Sequence, residues 1–195
     1  MTTPETPPFV PQDLSGKLLI AMPGMGDPRF EHSVVFLCAH SANGAMGLIV
    51  NKRLPELELD DLLTQLEIAT GTGSRHQAVH FGGPVEGARG FVLHSGGAEA
   101  YPATLKVDEA FSMTATRDIL EDIARGTGPG QTLTALGYSG WGAGQLEREL
   151  RQNAWLIVDA EAAIVFDPDD KTKWRRALEA LGIDPLLLSA DGGTA

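Results

Sequence analysis

Two apolar runs, residues 33–41 and 45–52, face each other across Ala42-Asn43-Gly44. Asn and Gly both tolerate positive φ, so Asn-Gly between apolar runs is a strong hairpin signal. Each arm is nearly continuous in apolar residues: Val34-Val35-Phe36-Leu37-Cys38-Ala39 on one side, Met46-Gly47-Leu48-Ile49-Val50 on the other. A strand with one wet face alternates; a strand without alternation is covered on both faces. This hairpin therefore requires a sheet with helices packed on its faces.

The rest of the chain supplies both. Further strands are predicted at residues 17–22, 79–81, 90–94, 131–138, 155–159 and 163–167, with one or two more within 103–113. Helices are predicted at 59–68, 116–125, 142–153 and 170–181. The first has Leu59, Leu62, Leu63 and Leu66 at i, i+3, i+4, i+7. The second runs from Thr116 as N-cap to Gly126 as stop. In the fourth, Trp174, Ala177, Leu178 and Leu181 are expected inward, and residues 186–188 are expected to dock as a short apolar turn. The fold class expected is α/β (α+β): one domain over residues 14–188, built on a mixed sheet that includes an antiparallel hairpin. Proline-rich residues 1–13 and residues 189–195 are read as flexible tails.

Composition narrows the function. The formal net charge is −11, which repels phosphate backbones and anionic lipid heads. The basic clusters, Lys171/Lys173/Arg175/Arg176 and Arg148/Arg151, are read as solvated helix faces. The single cysteine, Cys38, lies inside a buried strand and is read as a core residue. No apolar run reaches the roughly 18 residues that span a bilayer, and residues 1–13 do not read as a signal peptide. A cytoplasmic protein without membrane contact is expected.

The best local constellation is residues 134–147, TALGYSGWGAGQLE, a strand expected to enter a glycine-rich turn and then a helix. It fails two familiar tests. Gly140, Gly142 and Gly144 are spaced G-x-G-x-G rather than as a dinucleotide loop. Trp141 stands where a nucleophile elbow needs its last glycine. A tight turn whose glycines serve packing is favoured over an anion-binding bay. Asp27 can cap a turn begun by Pro28, and Arg29 can pair with it or hold a carboxylate or phosphate. Asn51, at the end of an apolar strand, points into a cleft or caps the sheet; the sequence leaves both open. His80 and His94 flank one glycine turn and could be neighbours. The five histidines lack metal-ligand spacing. The doublets Asp60-Asp61, Glu121-Asp122 and Asp169-Asp170 read as helix starts or solvated faces. No catalytic residue, metal or cofactor is expected.

Several blocks in one order carry a resemblance: Met22-Pro23 with Asp27-Pro28-Arg29-Phe30, GAMGLIVNK at 44–52, Phe81-Gly82-Gly83-Pro84-Val85, Gly90-Phe91-Val92-Leu93-His94, and LGYSGWGAGQL at 136–146 followed by Asn153-Ala154-Trp155. They resemble the YqgE/AlgH family over about residues 15–188. The resemblance implies a single α/β domain with a mixed sheet and transfers no catalytic residue. One branch is named for regulation of alginate synthesis, which implies a transcriptional regulator; the acidic charge disfavours direct nucleic-acid binding. The expected function is a non-enzymatic regulatory or binding domain with a protein or small-molecule partner. Its surface joins Asp27 and Arg29, Asn51, the Gly82-Gly83-Pro84 turn, and Ser139, Trp141, Gly142 and Gln145. The alternatives are a small-ligand protein or enzyme using the same cleft, with Ser139, His80 or His94 in mutual reach, and a regulator acting on DNA directly.

Overall fold

The computed structural model describes residues 12–96 and 100–188. Most of the two expected tails, residues 1–11 and 189–195, lies outside the described residues. The chain opens with β1 (Lys17–Ala21), a 3-10 turn at Pro28–Phe30, and the hairpin β2 (Val34–Ser41) and β3 (Gly44–Ile49). Next come β4 (Arg53–Glu58), α1 (Leu59–Gln65), β5 (Ala78–Phe81), β6 (Val85–Ser95), β7 (Thr104–Lys106) and β8 (Phe111–Thr114). The second half holds α2 (Arg117–Arg125), β9 (Thr132–Gly142), α3 (Gln145–Arg151), β10 (Trp155–Asp159), α4 (Ala162–Val165) and α5 (Asp170–Ala180).

The strands form one curled sheet in the order β10-β1-β2-β3-β9-β6-β8-β7, with β5 beside β9 and β4 beside β5. Every pairing is antiparallel except β5 with β9. The expected mixed sheet thus owes its parallel character to one strand pair. The central hairpin is covered on both faces as its composition requires. Phe36, Cys38, Leu48 and Val50 enter one core with Phe111, Leu133, Ile164 and Val165. Val35, Leu37 and Ile49 enter another with Trp141, Leu146 and Trp155. A third core joins α1 and α2 through Leu59, Leu63, Val79, Ile119 and Ile123. Cys38 is buried, and that burial pushes its thiol pKa up to about 12.

Strand β9 organises the sheet. Its first half pairs with β5 on one edge (His80 opposite Ala135) and with β6 on the other (Phe91 opposite Ala135). Its second half, Ser139–Gly142, pairs with β3. Because β5 and β6 sit on opposite edges of β9, the link Gly82-Gly83-Pro84 must cross that strand. The crossing is backbone on backbone. A Cβ at Gly83 (φ +154°) would lie 2.1 Å from the Tyr138 carbonyl carbon, and one at Gly137 (φ +73°) 2.4 Å from the Gly83 oxygen. Only glycine fits both conditions at each position.

Four sequence expectations are corrected. Residues 163–167, expected as a strand, lie mostly in helix α4 (Ala162–Val165), which sets Ile164 and Val165 into the core. The β-branched run suggested a strand, but burial at the sheet's end overrides propensity. Residues 139–142 are strand rather than turn, because Ala45, Met46 and Gly47 hold them in register. Leu181 and Leu186 are 37% and 91% exposed, so neither packs as expected. Lys173, expected on a solvated face, is fully buried. Asp170 opens α5 as its reading as a helix start expects, and it is 7% exposed. Strand β4 went unpredicted: Pro55 interrupts its pattern, and an irregular ladder to β5 accommodates it.

Candidate functional site

Three sequence-distant segments meet in one cleft of about 530 Å³. Its walls include Asp27, Arg29 and Phe30 from the first turn, Pro84 and Val85 from the crossover, Gly140 and Trp141 from β9, and Gln145 and Glu149 from α3. Each wall is fixed by short-range chemistry. Pro28 starts the 3-10 turn, and the Asp27 carboxylate accepts the Arg29 backbone N–H at 3.0 Å. The Arg29 guanidinium closes on the same carboxylate, with Nη2 2.7 Å from Oδ2. These bonds, the side-chain ones first, hold the Asp27 carboxyl below its usual range.

The floor of the cleft is aromatic and is pinned by Glu149. Its Oε2 accepts both indole N–H groups, from Trp141 at 2.9 Å and Trp155 at 2.8 Å. Its Oε1 accepts the Gln145 amide at 3.0 Å. The indoles meet edge to face at 5.9 Å, and Phe30 meets Trp155 the same way at 5.7 Å. Gln145 Oε1 in turn accepts the Gly142 N–H at 3.0 Å. One helix face thus locks two tryptophans and the end of β9.

Of the residues singled out by sequence, Asp27, Arg29, Trp141 and Gln145 line this cleft. The others do not line it. Asn51 accepts Val34 N–H at 2.9 Å and donates to the His32 carbonyl at 2.8 Å, which makes it a brace for the loop before β2. Gly82 donates to Leu136 and accepts from Ile49 and Ser139 Oγ, so its backbone is engaged. Gly83 and Ser139 are buried. Gly142 is exposed at the end of β9. Sequence reasoning missed Glu149 and Trp155. The available signal for Glu149 was its i+4 spacing from Gln145, which places both on one helix face.

His80 and His94 are not neighbours, because β9 separates their strands. His94 Nε2 lies 2.8 Å from Thr114 Oγ1. His80 joins a second, closed cluster. Its Nε2 is 3.0 Å from both oxygens of Asp170. Lys173 Nζ reaches Asp170 at 2.7 Å and the Val50 carbonyl at 2.7 Å, and Arg53 Nε reaches Asp170 at 2.6 Å. Burial raises the Asp170 pKa, but His80 and Lys173 outweigh it and hold the carboxyl well below the usual range. Burial lowers the Lys173 pKa, and Asp170 opposes that shift. His80 Nδ1 is buried without a partner among the described residues.

A third polar contact lies at the sheet's other end. His40 Nδ1 accepts the Leu14 N–H at 3.1 Å, which leaves Nε2 as the donor to Glu147 at 2.7 Å. No helix among the described residues is long and apolar enough to cross a membrane.

Comparison with known proteins places this architecture. A UPF0301 protein of Ruegeria pomeroyi is 59% identical over 184 residues, covering 94% of this chain and all of the relative. One of Paracoccus denitrificans is 54% identical over 185 residues, covering 94% and 97%. The solution structure of the AlgH protein from Pseudomonas aeruginosa matches with a TM-score of 0.77 at 43% identity, over 95% of this chain and 97% of that one. A crystal structure of a Corynebacterium diphtheriae protein, 18% identical, shares the fold with a TM-score of 0.72 over 91% of each chain. The family model DUF179, described as AlgH-like, matches residues 18–186, and the chain belongs to that family.

Proposed function

We propose that this protein is a non-enzymatic binding domain acting in the cytoplasm as a single unit over residues 14–188. Its partner is held in the cleft between the Asp27–Phe30 turn, Pro84 and the start of α3. The carrying observation is convergence: three segments far apart in sequence close on one aromatic-floored cleft, whose polar groups Glu149 and Asp27 are already engaged in positioning its walls. The non-enzymatic reading is supported by Ser139, His80 and His94, which bond to Gly82, Asp170 and Thr114 respectively rather than to one another. A net charge of −11 and the burial of Lys173 argue against duplex DNA as the partner. The regulatory role that the resemblance implies then runs through another protein.

The test is Arg29→Ala with Gln145→Ala, two partly or fully exposed positions on the rim. The double variant is expected to unfold at the wild-type urea concentration and to lose partners that the wild type retains by cross-linked pull-down. Retention of every partner contradicts the reading. A small-molecule partner is the second reading, favoured by volume: about 530 Å³ falls inside the ~300–1,000 Å³ typical of ligand pockets. A metabolite that raises the wild-type melting temperature but not that of the double variant would select it.

A further inference from the structure

We propose that β9 carries an open strand edge at Gly140, and that an extended segment of another polypeptide pairs with it by strand addition; this inference rests on the cleft reading above and names its occupant. Antiparallel strands alternate between residue pairs that exchange hydrogen bonds and pairs that do not. Gly142, registered opposite Gly44, gives its N–H to Gln145 instead of to β3. By the same alternation, Gly140 opposite Met46 also directs its N–H and C=O away from β3. On that side β6 begins at Val85, opposite Tyr138, and the chain before it leaves across β9 as Gly82-Gly83-Pro84, so no β6 residue is registered opposite Gly140. Gly140 is exposed and has no loop or side-chain partner among the described residues. An unpaired strand edge is a template for another chain.

The surroundings suit a strand. Val85, Gly140 and Trp141 border two cavities, the cleft of about 530 Å³ and a broader one of about 750 Å³. Met46, Phe91, Met113 and Tyr138 line the broader one, whereas Phe30 and Trp155 line the cleft. These residues pack with opposite faces of the sheet. Side chains of an added strand alternate between faces, so successive residues would enter alternate cavities. Among the described residues Arg89 is the one Lys or Arg lining the broader cavity, and its partner Glu86 is 3.4 Å away on the exposed bulge between Val85 and Gly90. The occupant is therefore an extended peptide with an apolar residue toward the tryptophans and a carboxylate toward Arg89.

The probe is a random hexapeptide library displayed on phage and panned on the full chain. The expected winners alternate, with apolar residues at one parity and an acidic residue at the other. Methylating the backbone nitrogen of a synthetic winner at the amide that bonds Gly140 should weaken binding roughly tenfold. Its neighbours of opposite parity should matter less. Gly140→Val should also abolish binding, since its side chain would enter the broader cavity beside Tyr138 and Val85 without a backbone clash. Arg89→Ala should remove the preference for the acid. If no sequence is enriched, or if a winner tolerates methylation at every amide, strand addition is overturned. Should such a winner still be weakened by Arg29→Ala with Gln145→Ala, the cleft reading survives and only its occupant is wrong.

Discussion

The edge at Gly140 and the cluster around Asp170 use polar groups in opposite ways. Around Asp170, side chains from β4, β5 and α5 converge on one carboxylate, and the main-chain carbonyls of Val50 and Pro168 complete the set. Charge there ties a helix to a sheet. At Gly140 the side chains fix only the walls, and the proposed contact is made by the main chain. Side-chain charge thus marks where the molecule is braced, and strand geometry marks the edge proposed to bind.

Perturbing each region sharpens that contrast. The largest effect is expected from Asp170→Ala, which leaves Lys173 buried without its counter-charge. Breaking a buried pair costs about 3–5 kcal/mol, read as a lower urea midpoint. Glu149→Ala is next. It strips the acceptor from two indole N–H groups, but these line the cleft, where water can replace part of the lost bonding, so the total cost expected is about 1–3 kcal/mol. Chemical-shift changes should stay near Trp141 and Trp155. If Glu149→Ala costs more than Asp170→Ala, the cleft wall is the more important structural element and the contrast fails.

Acid titration separates the regions again. The Asp170 pKa is lowered in the folded chain, as is that of Glu147 beside His40. A lowered carboxyl contributes stability that is fully present above its unfolded pKa of about 4 and is lost as pH falls through the folded value. Stability should therefore fall below about pH 4, and Asp170→Asn should flatten that fall. A variant that keeps the wild-type acid limb would show that the cluster is not its source. The smallest effect is expected from Arg29→Ala. Its ion pair with Asp27 is solvent-exposed, and such pairs add little to stability, so the urea midpoint should not move measurably while partner capture weakens.

Much of the architecture was legible. Asn43-Gly44 marked the hairpin, and Gly126 in the left-handed conformation ends α2 where its glycine predicted. What local pattern could not show was burial imposed by distant elements. Lys173 looks solvated until Asp170 and Val50 come to it. Of the candidate surface, Arg29, Trp141 and Gln145 stood out in sequence, yet the glycines between 139 and 144 suggested a loop. Pairing with β3 turns that stretch into strand and creates the edge that a loop reading hides.

Residue-resolved amide hydrogen exchange on the unliganded protein tests the open edge most directly. Ser139 and Trp141, which face β3, should exchange slowly, while the Gly140 amide between them exchanges far faster. Protection at Gly140 equal to that of its two neighbours would mean that the edge is already closed, and the account of how this molecule binds would be wrong.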